Sequence, residues 1–523
     1  MEETKPAKAE EAKAEETKAV EAKPEEKKGG KPAGGPGGRP GGGPGGPGGR
    51  PPKKFLGKTS EKVGFILGIV ALLALWFCPP VWGLESVGMH MLGIFALCLI
   101  FWIFSPIPAE LTGLLLIILP VLTRTVSLQT GVGGFQASTT WFIFGGLIIG
   151  RLIQTSGLDR RITLNIVRIF GGKNLSIWKV ISCVIILSFV LTLVVPSGTV
   201  LALLLGAQIY PLVKLYGVDE KSTVAKMLMV TVPVFVLLCG NESLSGSSHN
   251  LVLLGCLESA GIEITWLGWF LAILPDTIIV SVFVLVFFKL YYKPEVMTVP
   301  GGQEKIKAEL EALGKFSTDE KKSLVFFLIA LVLWVTNSLT GIHVAHTALG
   351  VAFIAMFPGI GCLDFRGTLK SINWAMILFV AAVLGIGGMM AEVGLEDAFT
   401  NFFNAISPYF GGWLGFTVLL WLLAQVTAWL GLAIGSPMLF VPFMFPIASA
   451  MGMPPVYAAL MQGYMQPTVM YYHAPAPLVV ADYGCYTQGD YIKTQLVVCL
   501  GKIVATPLLV WVWWPLLTSI GIL

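Results

Sequence analysis

Gly240-Asn241-Glu242-Ser243-Leu244-Ser245-Gly246-Ser247-Ser248-His249-Asn250 interrupts an apolar run that begins near residue 222 and ends near 260. The flanks, Met227–Cys239 and Leu251–Leu257, carry no charged residue and read as two limbs of one broken span. Non-helical backbone at membrane depth is tolerated only where it is buried in protein or lines a cavity. Such a break exposes a helix N-terminus, whose free N–H groups and positive dipole end attract anions. It also frees carbonyls that can coordinate a cation such as sodium. The stretch therefore predicts a transport site.

The rest of the chain agrees with that setting. Apolar residues make up 55 % of the sequence and charged residues only 13 %, against about 25 % charged in soluble domains. So few charges cannot cover a soluble surface of this size, and lipid is the expected solvent. Val63–Cys78, Leu324–Leu339 and Ile503–Ile520 approach or reach the roughly 17–25 residues of a membrane span. The net charge of +4 is uninformative, because ionisable residues gather in the tail and connections. The eight cysteines show no C-x-x-C and no zinc spacing, so neither a disulfide framework nor a metal site is expected. The first apolar stretch begins late and lacks a small-residue cleavage site, which reads as a span and not a signal peptide.

Residues 1–54 are Glu/Lys/Ala-rich and then Gly/Pro-rich, a composition that cannot bury a core and predicts a disordered, cytoplasmic tail. Beyond it the predicted class is an all-α polytopic membrane protein with about eleven transmembrane helices and two re-entrant hairpins. The spans fall near 63–78, 87–104, 109–123, 138–157, 222–260 (broken) and 266–290, then 323–340, 345–358, 372–392, 456–486 (broken) and 495–521. The hairpins fall at 177–214 and 411–450. A first half, 55–290, is thus joined to a second, 323–523, by a charged linker at 291–322 that predicts a surface helix. With the tail inside, Arg160, Arg161, Lys173, Lys179, Lys214, Lys221, the linker, Arg366, Lys370 and Lys493 all fall on the cytoplasmic side. Only Arg124 falls opposite, as the positive-inside rule requires, with the C-terminus outside. The cytoplasmic (inner) membrane is the expected location.

The two halves correspond in order. Trp141-Phe-Ile-Phe-Gly-Gly-Leu147 leads to a Gly157-Leu158 turn, a hairpin broken at Val195-Pro-Ser-Gly-Thr199, and the break quoted above. Trp374-Ala-Met-Ile-Leu-Phe379 leads to Gly394-Leu395, a hairpin broken at Ile434-Gly-Ser-Pro437, and a span broken at Tyr471-Tyr-His-Ala-Pro-Ala-Pro477. With one leading span left over, the halves have opposite orientation. Inverted repeats with paired interrupted helices point to a transporter's midplane site.

This order, with Ser105-Pro-Ile-Pro108 opening a span and Asp490-Tyr-Ile-Lys493 entering the last, resembles the divalent anion/sodium symporter family over roughly residues 60–523. The resemblance implies a scaffold and a mobile domain with both hairpins, an elevator-like displacement, and a homodimer. It implies a small anionic substrate held by Ser197, Gly198, Thr199, Ser247 and Asn250 in the first half, and by Ser436, Pro437, Ala474 and Pro475 in the second. It places ion coupling at Ser197, Gly246, Asn250, Glu242, Ser436 and His473, with sodium as the candidate ion and no other cofactor. The family's Ser-Asn-Thr tip reads Ser197-Gly198-Thr199 here and Gly435-Ser436-Pro437 in the second copy. Its Thr-Pro-Pro-Asn element reads Ser247-Ser248-His249-Asn250 and Ala474-Pro475-Ala476-Pro477. Replacing an amide by Gly removes a donor and an acceptor, which leaves sodium coupling, proton coupling and uncoupled anion exchange all open.

Glu242, an ionisable residue at membrane depth, is a functional candidate by position, with a solvated vestibule as the alternative reading. His249 and His473 occupy equivalent breaks and can donate to an anion or titrate near neutral pH. Glu110, Glu258, Asp276 and Asp482 lie near span ends and read as caps or interfacial groups. Trp266, Trp269, Trp511, Trp513 and Trp514 read as interfacial anchors. No enzyme motif, cofactor fingerprint or nucleotide-binding loop is present, and nothing suggests a nucleic-acid partner. Saturable flux against a gradient separates a transporter from a channel.

Overall fold

The computed structural model describes residues 56–523 apart from 82, 194, 196, 430–435, 466–468 and 471–473. The N-terminal tail of the sequence reading lies outside the described residues. Every regular element among the described residues is a helix. Among the described residues seven helices are long and apolar enough to cross a membrane: Thr59–Trp76, Ser86–Phe104, Gly198–Leu215, Thr223–Glu242, Trp266–Tyr291, Trp374–Glu392 and Gln488–Ser519. An eighth is added if Ser138–Ser156 and Leu158–Phe170, bent by 70°, count as one span. The expected spans at 109–123 and 345–358 are shorter helices, Ala109–Leu122 and Val344–Met356. A 14-residue helix such as Ala109–Leu122 covers only about 21 Å, less than a hydrocarbon core of about 30 Å. Gly198–Leu215, expected as a re-entrant limb, has by contrast the composition of a full span.

Local chemistry sets the ends of these helices. Ser222 caps Thr223–Glu242 by accepting from Ala225 N. Thr265 caps Trp266–Tyr291 through Gly268 N, and Thr487 forms a capping box with Asp490. Such oxygens satisfy the orphan N–H groups of a first turn. Gly157 and Gly394 adopt the left-handed conformation, at φ 77° and 72°. Each starts an amphipathic helix, Leu158–Phe170 or Leu395–Ile406, with its leucine buried. Exposed rows such as Ile278, Val282 and Val286 mark faces that have no protein neighbour and suit lipid.

The linker forms the short helix Gly302–Ala312, as expected. It is held by Arg161, whose guanidinium donates to Gly314 O at 3.2 Å and pairs with Glu320 at 2.7 Å.

Helices far apart in the chain pack together. Ser138–Ser156 lies on Val344–Met356, and Trp374–Leu384 lies on Ala109–Leu122. Likewise Ser248–Ser259 packs on Ser436–Ala450, and Pro475–Ala481 packs on Gly198–Leu215.

The buried apolar side chains form two separate cores. One gathers the first hairpin with Val224–Cys239, Val280–Phe288, Ala476, Val480, Tyr491 and Val498. The other takes Leu244, Leu251–Leu257, Trp266–Ile273, Val456–Met465 and Ala505–Leu517. Both broken spans and two long helices therefore pass from one core to the other. Three of them change core where the sequence turns polar, at 240–244, 273–280 and 498–505, and the fourth has Met465 in one core and Ala476 in the other. A polar layer lies between the two cores.

Candidate functional site

The first break lies in that layer. The helix ends at Glu242 and restarts at Ser248, with Ser247 as the cap accepting from His249 N at 3.2 Å. Asn250, fully buried, reaches back across the break. Its Nδ2 donates to Gly240 O at 2.8 Å, Asn241 O at 3.1 Å and Ser243 O at 2.8 Å. Those carbonyls are the ones an ending helix leaves without intrahelical donors. An amide group has two hydrogens to offer, so the donor end of Asn250 is fully engaged. Its Oδ1 has no hydrogen-bond partner among the described residues. That leaves Asn250 an acceptor toward any ligand, a property that suits a cation and not an anion.

The first hairpin tip closes against this break. Ser197 caps Gly198–Leu215, its hydroxyl accepting from Val200 N at 3.4 Å, and Thr199 lies in the same first turn. Ser245 Oγ donates to Leu193 O and lies 2.9 Å from Ser243 Oγ. A Cβ on Gly246 would stand 2.8 Å from both Gly240 O and Thr192 O. Only glycine lets these two chain segments approach so closely. Gly198 in turn faces Leu237 and Val236. The structure thus brings Ser197, Gly198, Thr199, Gly246, Ser247 and Asn250 to one place, where two helix N-termini meet freed carbonyls.

The second site is described in part. Ser436 opens the helix Ser436–Ala450, but its side chain and that of Pro437 lie outside the described residues, as does His473. Ala474 is the extended residue before Pro475–Ala481, with Pro475 at the first helical position, where its missing N–H costs nothing. His249 turns Nε2 toward Gln462 O at 3.2 Å, which links the first break to the helix leading into the second.

Two expectations are corrected. Trp266, Trp269 and Trp514 are buried and not interfacial. Trp269 Nε1 donates to Asn241 O at 3.0 Å and Trp266 Nε1 to Ser245 Oγ at 3.3 Å, so both indoles brace the break. Trp514 donates to Ala272 O at 2.9 Å. An indole in an apolar core needs a partner for its N–H, and the break supplies acceptors. Asp276 is the second correction. It is no cap but a fully buried mid-helix residue, with Lys502 Nζ 3.6 Å from its carboxylate. Glu242 is also fully buried, beside Asp276 and Thr277, and not in a solvated vestibule. Lys502 was not singled out by the sequence reading. Its one signal is position, a lysine within the apolar run of the last span.

A bundle of long apolar helices with a buried break in one of them is that of a multi-pass membrane protein. Residues 59–520 match the family described as "Sodium:sulfate symporter transmembrane region", and the chain belongs to that family, the divalent anion/sodium symporters. It is 24 % identical over 481 residues to the Bacillus subtilis (strain 168) protein named "Putative malate transporter YflS", covering 89 % of this chain and 99 % of that one. It is 23 % identical over 371 residues to the citrate/succinate antiporter of Escherichia coli (strain K12), covering 65 % and 74 %. It is 24 % identical over 363 residues to the sodium-dependent dicarboxylate transporter SdcS of Staphylococcus saprophyticus, covering 65 % and 69 %. The chain is thus an integral membrane anion transporter, and its family and relatives point away from an enzyme.

Proposed function

We propose that the chain is a secondary active transporter of a small anion, a di- or tricarboxylate, sulfate or sulfonate, coupled to a cation and working by an elevator-like displacement. The observation that carries this reading is the closure of the first hairpin tip on the first break, within a polar layer between two apolar cores. Free N–H groups at Gly198–Thr199 and Ser248 suit an anion's oxygens, and Asn250 Oδ1 with neighbouring carbonyls suits a cation. In this reading Ser197, Thr199 and Ser247 hold substrate, with Ser436, Pro437, Ala474 and Pro475 opposite. Gly246, Asn250 and Glu242 serve the cation, with Ser436 and His473 in the second half. The packing of Ser138–Ser156 on Val344–Met356 and of Trp374–Leu384 on Ala109–Leu122 supports two inverted repeats, 55–290 and 323–523, joined by the 291–322 linker. The further reading is a homodimer in the cytoplasmic membrane with its N-terminus inside.

One observation favours a second reading, anion exchange without a cation. Gly198 supplies no amide side chain at the tip, and one relative carries the name citrate/succinate antiporter. Uptake of radiolabelled malate, succinate, citrate and sulfate into proteoliposomes separates the two. Accumulation driven by an imposed sodium or proton gradient supports coupling, and uptake that requires internal anion supports exchange. No saturable uptake of any of them would overturn both.

A further inference from the structure

Among the described residues the polar layer contains two buried carboxylates and a buried ammonium, on three helices: Glu242, Asp276 and Lys502. Lys502 lies 3.6 Å from Asp276 and also donates to Tyr464 O, so those two form a neutral pair. Glu242 stands beside Asp276 and is left over. Neither of its carboxylate oxygens has a hydrogen-bond partner among the described residues. Ionised, the trio would hold a net charge of minus one in the protein interior, with two carboxylates adjacent. An uncompensated buried charge costs several kcal/mol even after relaxation, about 20 kcal/mol in the idealised limit. A compensating positive charge is required.

Among the described residues no other lysine or arginine supplies it. Lys179 and Lys214 lie at the far ends of the two hairpin helices, and Lys226 lies at the opposite end of Glu242's own helix, 3.8 Å from Asp490. Pro475–Ala481 carries no ionisable residue. On Gln488–Leu508 only Cys499 lies near Lys502, a turn away, and it brings no positive charge. His249 directs Nε2 at Gln462 O, and the Tyr464 hydroxyl donates to Thr506 Oγ1 at 2.9 Å. Cys239, one turn earlier on the same helix, is neutral as a thiol.

A sodium ion is a poor candidate for the missing charge. Beside Asp276 it would face the Lys502 ammonium, already 3.6 Å from that carboxylate. A proton fits. It turns one Glu242 oxygen into a donor, and acceptors without partners stand next to it: Asp276 Oδ1 and Thr277 Oγ1.

We propose that Glu242 is the proton carrier of the transport cycle, holding its proton while the layer is closed, as here, and releasing it to water when the layer opens. The proposal rests on the transporter reading. Glu242 passes a proton between water on either side, and Asp276–Lys502 keeps the remaining charge balanced.

Two measurements on the full chain in proteoliposomes test it. The first is infrared difference spectroscopy at neutral pH, read for the C=O stretch of a protonated carboxylic acid and its shift in D2O. The band is expected in the wild type, absent in Glu242→Gln, and retained in Glu242→Asp and Glu220→Gln. The second is succinate, malate, citrate or sulfate uptake with and without an imposed pH gradient. Wild-type accumulation should rise by up to about tenfold per pH unit per proton, and Glu242→Gln should show no rise. A wild type without the band, whatever the variants do, overturns the proposal. So does a pH-driven rise that survives in Glu242→Gln. Failure of the transporter reading looks different: the band is present, yet no anion is taken up under any gradient. That result overturns the coupling role while leaving a protonated Glu242.

Discussion

Replacing Asn250 by alanine removes both amide hydrogens that hold the first break. Two hydrogen bonds are lost, each contributing about 0.5–1.5 kcal/mol net. The three acceptors do not suffer equally. Asn241 O keeps the Trp269 indole, and Ser243 O keeps Gly246 N at 2.9 Å. Gly240 O has no second donor among the described residues, and an orphaned buried carbonyl adds about 1–3 kcal/mol. The sum is a loss of about 2–6 kcal/mol, large for a single side chain. Unfolding by SDS titration in mixed micelles reads this directly, with uptake measured on the same preparation. Asn250→Asp sharpens the test, because it keeps the shape but presents only acceptors to those carbonyls. It should be at least as damaging as alanine. An Asn250→Asp protein with wild-type stability would refute the assignment of the amide as the donor that ties the break.

Three further outcomes follow from the geometry. Gly246→Ala should separate hairpin tip from break, because its Cβ meets two backbone oxygens at 2.8 Å. Overpacking of this kind costs about 1–3 kcal/mol and should abolish uptake, whereas Gly350→Ala, with nothing within 4 Å, should change neither. Arg161→Ala should destabilise by about 3–5 kcal/mol by leaving Glu320 buried without its partner, and a double change of both to Met should recover much of the loss. His343, in the connection before Val344–Met356, is held above its usual pKa by its hydrogen bond with Glu258, 3.2 Å away. Its contribution is therefore complete below about pH 6.5 and is lost as pH rises through the raised value. The pair is partly exposed, so the effect is at most about 1 kcal/mol. Melting temperature should fall between neutral and mildly alkaline pH in the wild type, and that slope should flatten in His343→Gln.

Much of this fold was legible where the cause is local. Ser and Gly at 243–247 end one helix and cap the next, and Gly157 and Gly394 take left-handed turns; both follow from side-chain chemistry at the position itself. The first break and the end of the hairpin beside it were legible because each marks itself in sequence, and the two lie together. What composition could not show is which helix faces which. Asp276 follows Pro275 and looked like a cap, and its partner Lys502 lies on the last long helix. Trp266 and Trp269 carry the residue type of an interfacial anchor, yet the break offered their N–H groups a buried acceptor. Span number was also beyond reach of apolar runs alone, because Ala109–Leu122 is strongly apolar yet only 14 residues long, whereas Gly198–Leu215 reaches 18.

The separation of the apolar side chains into two cores bears on how the molecule comes apart. Cooperative opening follows contiguous packing, and the chain passes between the two cores six times among the described residues, with Ile162 packed against both. A core that opens while those crossings hold acts as its own cooperative unit. Heating should give two overlapping transitions, so a single midpoint would be an average and not a property of the molecule. A variant's shift would report on the unit it touches, and Asn250, which fastens the crossing itself, should move the two transitions apart.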